Sequence, residues 1–375
     1  MAIKKKLGFV VNPVAGIGGR VGLKGSDGKE ILERALQLGA VPTSPMRAIQ
    51  ALERIAPIRD AIDLVTCPHD MGENEARQCG FAPKVICATI EERTTPADTI
   101  SAAKEMSKLQ VVLLFFAGGD GTARDIYEAV DQSIPVLGIP AGVKIHSGVF
   151  AVTPRSAGDL ALMYLQGTQT VIREAEVMDI DEQAFRENRV SARLYGYLRV
   201  PYEKTLVQSA KAGTAPGEES AAQAIANEIV DNMQDDCVYI VGPGTTTRPI
   251  MERLGLKKTL LGVDVVYNRQ LLGSDLDESR LLQLTSGKKI RIVVSVIGSQ
   301  GFIFGRGNQQ ISPEVIRRAG KENMIVVATP GKLASLGGAP LLVDTGDINV
   351  DKNLSGYLHV TTGYGRRATY RVESK

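Results

Sequence analysis

At 375 residues the chain is too long for a single small module, and at roughly 150 residues per domain it predicts two to three domains. Hydrophobic residues make up 43% and charged residues 23%, a globular composition that excludes wholesale disorder. Forty-four basic against 42 acidic side chains leave a formal charge of +2, too balanced for a nucleic-acid or acidic-membrane partner gathered by long-range field, so small molecules are the expected partners.

Lys4-Lys5-Lys6 is followed by only five apolar residues, Leu7 to Val11, before Asn12-Pro13 breaks the run. That is too short for the core of a signal peptide, and the longest apolar run, Val111 to Ala117, is far below the 18 or so residues that span a bilayer. A cytoplasmic protein without membrane attachment is expected. Leu7 to Val11 reads as a buried strand running into the glycine-dense segment Ala15 to Gly28, and Lys29 to Leu38 as an amphipathic helix stopped by Gly39. Asp63 to Cys67 and Val85 to Ile90 read as strands, and Ala97 to Leu109 as a helix before the strand Val111 to Ala117. This alternation predicts a Rossmann-like, doubly wound parallel sheet over residues 1–155.

Glu174 to Ile180 and Ser191 to Val200 read as strands without an intervening helix. They predict a β-rich domain over 156–235 that takes back the last strands, Tyr357 to Thr361 and Arg367 to Val372, as residues 348–375. Alternation resumes in between, from Cys237 to Val241 through Met324 to Ala328, as a second α/β lobe over 236–347, possibly inserted. Four cysteines without a CxxC pair and three widely spaced histidines argue against structural zinc. Thirty-nine glycines, no Trp and 5% aromatics favour phosphate recognition by backbone loops over aromatic stacking.

The chemistry concentrates at Val111 to Ala117 followed by Gly118-Gly119-Asp120-Gly121-Thr122 and the helical pattern Ala123 to Val130. A strand, a glycine turn and a helix N-terminus let the backbone approach a phosphate and supply free N–H groups. The same pattern fits an ordinary strand-to-helix turn capped by Asp120 or Thr122. Gly118-Gly119-Asp120-Gly121-Thr122 resembles the signature of the superfamily of ATP-NAD kinases, 6-phosphofructokinases, diacylglycerol kinases and sphingosine kinases. Asn12-Pro13-Val14-Ala15-Gly16 is similar to its N-terminal Asn-Pro motif, and Ile134 to Gly142 to the strand and glycine loop that follow in NAD kinases. Gly16 to Arg20, Lys24 to Gly28, Lys144-Ile145-His146 and Gly301 to Gln310 look like the branch containing the AcoX proteins of acetoin operons.

The resemblance implies an NAD kinase-like phosphotransferase using ATP or polyphosphate and Mg2+, acting on nucleotide substrates, and commonly homo-oligomeric. The chain lacks the Asn-Asn-Glu triplet that typical NAD kinases place after this domain to hold adenosine, which leaves the acceptor open between NAD and another hydroxyl metabolite. A nucleotide-binding regulator without catalysis is the alternative class. By the resemblance Asp120 removes the proton of the accepting hydroxyl; at a helix N-terminus it could also position metal or water, or serve as a cap. Asn12, Gly118, Gly119, Gly121, Thr122 and Gly142 are the expected nucleotide contacts, with Lys24, Asp27 and Lys144 as candidates and His146 nearby. Gly242, Gly244 and Thr245 form a comparable strand-to-helix turn in the second lobe, and Gly305-Arg306-Gly307 could present Arg306 to an anion. Asp344 to Asp347 reads as a turn.

Overall fold

The computed structural model describes residues 4–23, 29–86, 94–168, 170–180, 192–203, 206–207, 218–259, 261–297 and 300–374. The chain forms two compact units, residues 1–17 with 25–210 and residues 18–24 with 211–375.

The first unit contains β1 (Lys5–Val11), α1 (Lys29–Gln37), α2 (Ser44–Ile55), β2 (Ile62–Thr66), α3 (Glu73–Gln78), β3 (Lys84–Val85), α4 (Pro96–Lys108), β4 (Leu113–Gly118), α5 (Asp120–Val130), β5 (Val136–Pro140), α6 (Pro154–Gln166), β6 (Val171–Ile180) and β7 (Ala192–Tyr202). The first five strands form one parallel sheet in the order β3-β2-β1-β4-β5. The chain starts in the middle, builds outward through β2 and β3, then returns to build β4 and β5 on the other side of β1. The switch point therefore lies between the ends of β1 and β4, where doubly wound sheets bind ligands. β4 is buried along its whole length, which is why it reads as an unbroken apolar run rather than an alternating one.

Two helices of this unit carry local signals that the reading of the sequence passed over. In α2, Pro45 sits in the first turn and Ala48, Ala51, Leu52 and Ile55 fall on one buried stripe. In α6, the Thr153 hydroxyl accepts from the Ser156 N–H, Pro154 follows the cap, and Gly167 closes the helix at φ +76°. The two helices pack closely because position 158 is glycine; a Cβ there would lie 2.3 Å from the Ala51 carbonyl oxygen.

α3 carries a buried acid. Glu75 is 3% exposed, and one of its carboxylate oxygens has no hydrogen-bond partner among the described residues. Burial, helped by the negative charge of Asp70 and opposed by backbone N–H groups, pushes its carboxyl up to about 7 from an ordinary 4.5. Because the folded chain holds this proton more tightly than the unfolded one, the contribution is complete below about 4.5 and is lost as pH rises through about 7. Glu75→Gln is therefore expected to raise stability at pH 8 by up to about 3 kcal/mol and to change little at pH 4.5. Thermal unfolding of both proteins across this range checks it; parallel profiles would remove Glu75 as the cause.

The second unit contains α7 (Glu218–Asp231), β8 (Cys237–Val241), α8 (Arg248–Arg253), β9 (Asp264–Tyr267), β10 (Gln270–Gly273), α9 (Glu278–Leu284), β11 (Lys289–Ser295), β12 (Phe302–Phe304), α10 (Pro313–Ala319), β13 (Met324–Val327), α11 (Pro330–Ala334), β14 (Leu341–Val343), α12 (Ile348–Leu354), β15 (Gly356–Gly363) and β16 (Arg366–Ser374). Its strands make one nine-stranded mixed sheet in the order β10-β9-β8-β11-β13-β15-β16-β14-β12. β8, β11, β13 and β15 run parallel, and β9 and β10 form an edge hairpin whose turn residues Asn268 and Arg269 both have positive φ.

The last strands do not return to the sheet of residues 170–202. Among the described residues β6 pairs with β7 alone, whereas β15 pairs with β13 and β16, and β16 with β14. The reason lies in the buried side chains: Val360 of β15 and Val372 of β16 belong to the core formed by Ile292, Val326 and Val343. Strand character in 357–361 and 367–372 is present as expected; the partner strands are different. Among the described residues no helix is long and apolar enough to cross a membrane.

Candidate active site

The site grows from the switch point of the first unit. Asn12, at the end of β1, donates its backbone N–H to the Ala117 carbonyl of β4 at 2.9 Å, continuing the β1–β4 ladder by one step. Its side-chain amide then donates to the Thr122 hydroxyl at 3.0 Å, and its side-chain oxygen accepts from the Val14 N–H at 3.2 Å. Asn12 and Thr122 thus tie the loop after β1 to the first turn of α5. Thr122 is 3% exposed, and its hydroxyl accepts here rather than capping the helix, for which Gly119 is the cap residue.

The glycines of this turn owe their place to close approach. Gly119 lies in extended backbone at φ −119°, so no positive φ demands glycine there. A Cβ on Gly119 would stand 3.2 Å from the Cα of Gly142, and a Cβ on Gly142 2.9 Å from the Cα of Gly119, so the two glycine loops touch backbone to backbone. A Cβ on Gly118 would fall 2.4 Å from the Thr122 side chain, which explains that glycine by packing. The N–H groups of Ala141 and Gly142 both donate to the Gly118 carbonyl, at 2.9 and 3.1 Å. Gly16 does require its freedom: φ is +77°, and a Cβ would meet the Ala141 carbonyl oxygen at 2.0 Å. The loops after β1, β4 and β5 therefore form one contiguous surface of backbone, with Gly121 in the first turn of α5.

Asp120 is the first residue of α5 and is 7% exposed. Its Oδ1 accepts the Ser147 N–H at 3.0 Å, and its Oδ2 accepts the His146 N–H at 2.8 Å. The His146 ring presents Nδ1 to the same Oδ2 at 3.3 Å. Ser147, which the sequence did not single out, is held in turn by β6: its hydroxyl donates to the Met178 carbonyl at 2.7 Å and accepts the Met178 N–H at 3.0 Å. Gly148 N–H adds a bond to the Glu176 carbonyl at 2.8 Å. Lys144 stands partly exposed on the same segment, two residues before His146. No sequence spacing announces a contact between residues 26 and 27 positions apart; it follows from β4 and β5 being neighbours.

Lys24 and Asp27 lie outside the described residues. Gly242, Gly244 and Thr245 occupy a turn of the second unit that is largely satisfied from within. Gly242 N–H donates to Val293 O at 2.8 Å, and the Thr247 hydroxyl donates to the carbonyls of Gly242 at 2.8 Å and Gly244 at 3.1 Å. Gly244 needs its positive φ of +123°, Thr245 is exposed, and Thr246 accepts from Lys332 Nζ at 2.7 Å. Arg306 is not presented to solvent as the glycines around it suggested. It is 4% exposed, stands over the Phe302 ring at 5.1 Å and pairs with Asp344 at 3.7 Å. Asp347 caps α12 by accepting from the Asn349 and Val350 N–H groups, in keeping with the turn read there.

An acid held at the start of a helix, glycine loops in backbone contact and a parallel-sheet switch point make a site suited to an anionic phosphate and to acid–base chemistry beside it. Two family models match the chain, one mainly in each unit. The model of the ATP-NAD kinase N-terminal domain matches residues 7–168, and that of the ATP-NAD kinase C-terminal domain matches residues 234–372. Among curated proteins no sequence matches the chain. The first match runs from β1 to the end of α6 and so contains Asn12, Asp120, Thr122 and His146, while the second takes in the nine-stranded sheet; the chain belongs to the ATP-NAD kinase family, whose members are phosphotransferases.

Proposed function

We propose that the protein transfers a phosphoryl group from ATP or inorganic polyphosphate to the adenosine 2′-hydroxyl of NAD, producing NADP. The observation that supports this most is the placement of Asp120 at the β1/β4 switch point, anchored by the His146 and Ser147 amides beside the contact of Gly119 with Gly142. Phosphoryl transfer runs through a loose transition state, so positioning and charge neutralisation contribute most of the rate. Backbone N–H groups at the start of α5 and the close-packed glycine loops receive the donor's phosphates, and Asp120 provides the carboxylate of the acid–base centre. Among the described residues no cluster of three or more His, Cys, Asp or Glu could hold a metal, so magnesium would be bound chiefly by the donor's phosphates and would offset the charge of the transferred group.

Gly119→Val is expected to weaken donor binding at least tenfold. Its side chain must displace the Gly142 backbone and would stand where the phosphates approach. Calorimetric titration with magnesium-ATP, and separately with polyphosphate, checks this; unaltered affinity for both would exclude the loop from donor binding. The function is tested by labelled ATP or polyphosphate with a panel of NAD, NADH, nicotinamide mononucleotide, nucleosides and polyols. Label in NADP is the expected outcome. Label only in another acceptor would keep the chemistry and reassign the substrate.

A further inference from the structure

The second unit holds a cavity of about 460 Å³ at the end of its sheet where β11, β13 and β15 begin. That volume falls within the roughly 300–1,000 Å³ of small-molecule sites and far exceeds the room taken by a few waters, at about 30 Å³ each. An apolar wall comes from Ile229 of α7, Tyr239 of β8 and Ile325 of β13, which pack together on one face of the sheet. Arg291 enters from the same face. Side chains alternate along Lys289-Ile290-Arg291-Ile292, so the burial of Ile290 and Ile292 in the core on the opposite face turns Arg291 toward α7, beside Tyr239 in the ladder. The other charged groups of the lining have partners. Lys321 Nζ donates to the carbonyls of Asn353 at 2.8 Å and Ser355 at 2.7 Å, and Glu322 accepts from the Asn323 side chain at 3.3 Å. Glu228 accepts the Gly365 N–H at 3.0 Å and faces Arg367 at 3.9 Å. Arg291 differs: it is half-buried in the cavity wall, and among the described residues no hydrogen bond or ion pair engages its guanidinium. A guanidinium presents five N–H donors in a planar fork that takes a carboxylate or phosphate two oxygens at a time. Beside an apolar wall, partly withdrawn from bulk water, such a pair is stronger than on an open surface.

We propose that this cavity binds a small organic anion, its carboxylate or phosphate held by Arg291 and its flat apolar body laid against Tyr239, Ile229 and Ile325. The volume exceeds what an inorganic ion fills, and the wall opposite the guanidinium is apolar, so the body contributes to binding as well as the charge. All residues of the site belong to the second unit, and the inference stands without the phosphotransferase reading.

Calorimetric titration of the 375-residue chain tests this with benzoate and phenyl phosphate as probes, benzamide as the uncharged counterpart and acetate as an anion without the body. Saturable binding of benzoate or phenyl phosphate is expected, the tighter of the two naming the oxyanion, with benzamide and acetate weaker by about tenfold or more. Arg291→Met, which keeps an unbranched apolar stem, is expected to weaken the charged probes by about tenfold or more, and Arg291→Lys, which keeps the charge without the fork, to weaken them less. Thermal unfolding of Arg291→Met is expected to match the wild type, because the guanidinium has no bond among the described residues to lose; this separates lost binding from a lost fold. Phenyl phosphate also suits the glycine loops of the first unit, so Gly119→Val is titrated alongside and is expected to keep the binding that Arg291→Met loses. No binding of either anion at millimolar concentration overturns the proposal. Equal affinity in the wild type and Arg291→Met, or binding lost in Gly119→Val and kept in Arg291→Met, overturns it as well.

Discussion

Asp120→Asn is expected to lower turnover by about 100-fold or more, the scale of general acid–base assistance, while donor KM changes only a few-fold. The side chain keeps its shape and loses its charge. It also keeps only one accepting oxygen, although both the His146 and the Ser147 amide point at the position. The new NH2 group must face one of these donors, which leaves a backbone N–H unsatisfied in a nearly buried place. A stability loss of about 1–3 kcal/mol should accompany the loss of rate. Steady-state kinetics and denaturant unfolding of the same preparation separate the two effects. Turnover equal to the wild type would remove Asp120 from the mechanism, whatever happened to stability.

Lys258→Met is expected to cost the second unit about 3–5 kcal/mol, the scale for breaking a buried ion pair from one side. Lys258 and Asp264 are 1% and 0% exposed and meet at 2.9 Å. Burial pushes the Lys258 amine down, opposed by Asp264; burial alone would raise Asp264, but Lys258 and the surrounding donors hold it below the usual carboxylate range. Those donors are the Thr259 hydroxyl and N–H, the Ser274 hydroxyl and the Asp275 N–H, while Lys258 also donates to the carbonyls of Thr259 and Gly262. Removing the amine strands a desolvated carboxylate and two carbonyls in the loop leading to β9. Lys108→Ala, which breaks a solvent-exposed pair with Glu105 at 2.6 Å, should by contrast cost less than about 1 kcal/mol. Urea unfolding of both variants tests the contrast; equal midpoints would contradict it.

The first unit was legible because its evidence is local. Leu7 to Val11 and Val111 to Ala117 are unbroken apolar runs, and both end in the residues that form the site. The glycines of the turn could be located, but not their reason: position 119 is extended, and only the tertiary approach of Gly142 explains it. Ser147 carried no signal at all, since an unremarkable serine becomes an anchor only when β5 lies beside β4 and β6 runs past it. In the second unit, strand character was readable in residues 357–361 and 367–372, whereas pairing depends on which apolar face covers which core, and Val360 and Val372 face a different sheet from the one expected. The β9–β10 hairpin escaped notice because its turn uses Asn268-Arg269 where Asn-Gly is the strong signal. Arg306 read as a ligand side chain between two glycines; the fold instead turns it inward onto Phe302 and Asp344.

The proposed transfer to NAD at the β1/β4 switch point can be read out by the product it forms. A coupled assay incubates the purified 375-residue chain with NAD, magnesium and either ATP or polyphosphate, and detects NADP through a dehydrogenase that accepts only the phosphorylated coenzyme. The account predicts NADP accumulating in proportion to enzyme and time with at least one of the two donors. No NADP with either donor, at protein concentrations where magnesium-ATP and NAD are both shown to bind, would contradict it.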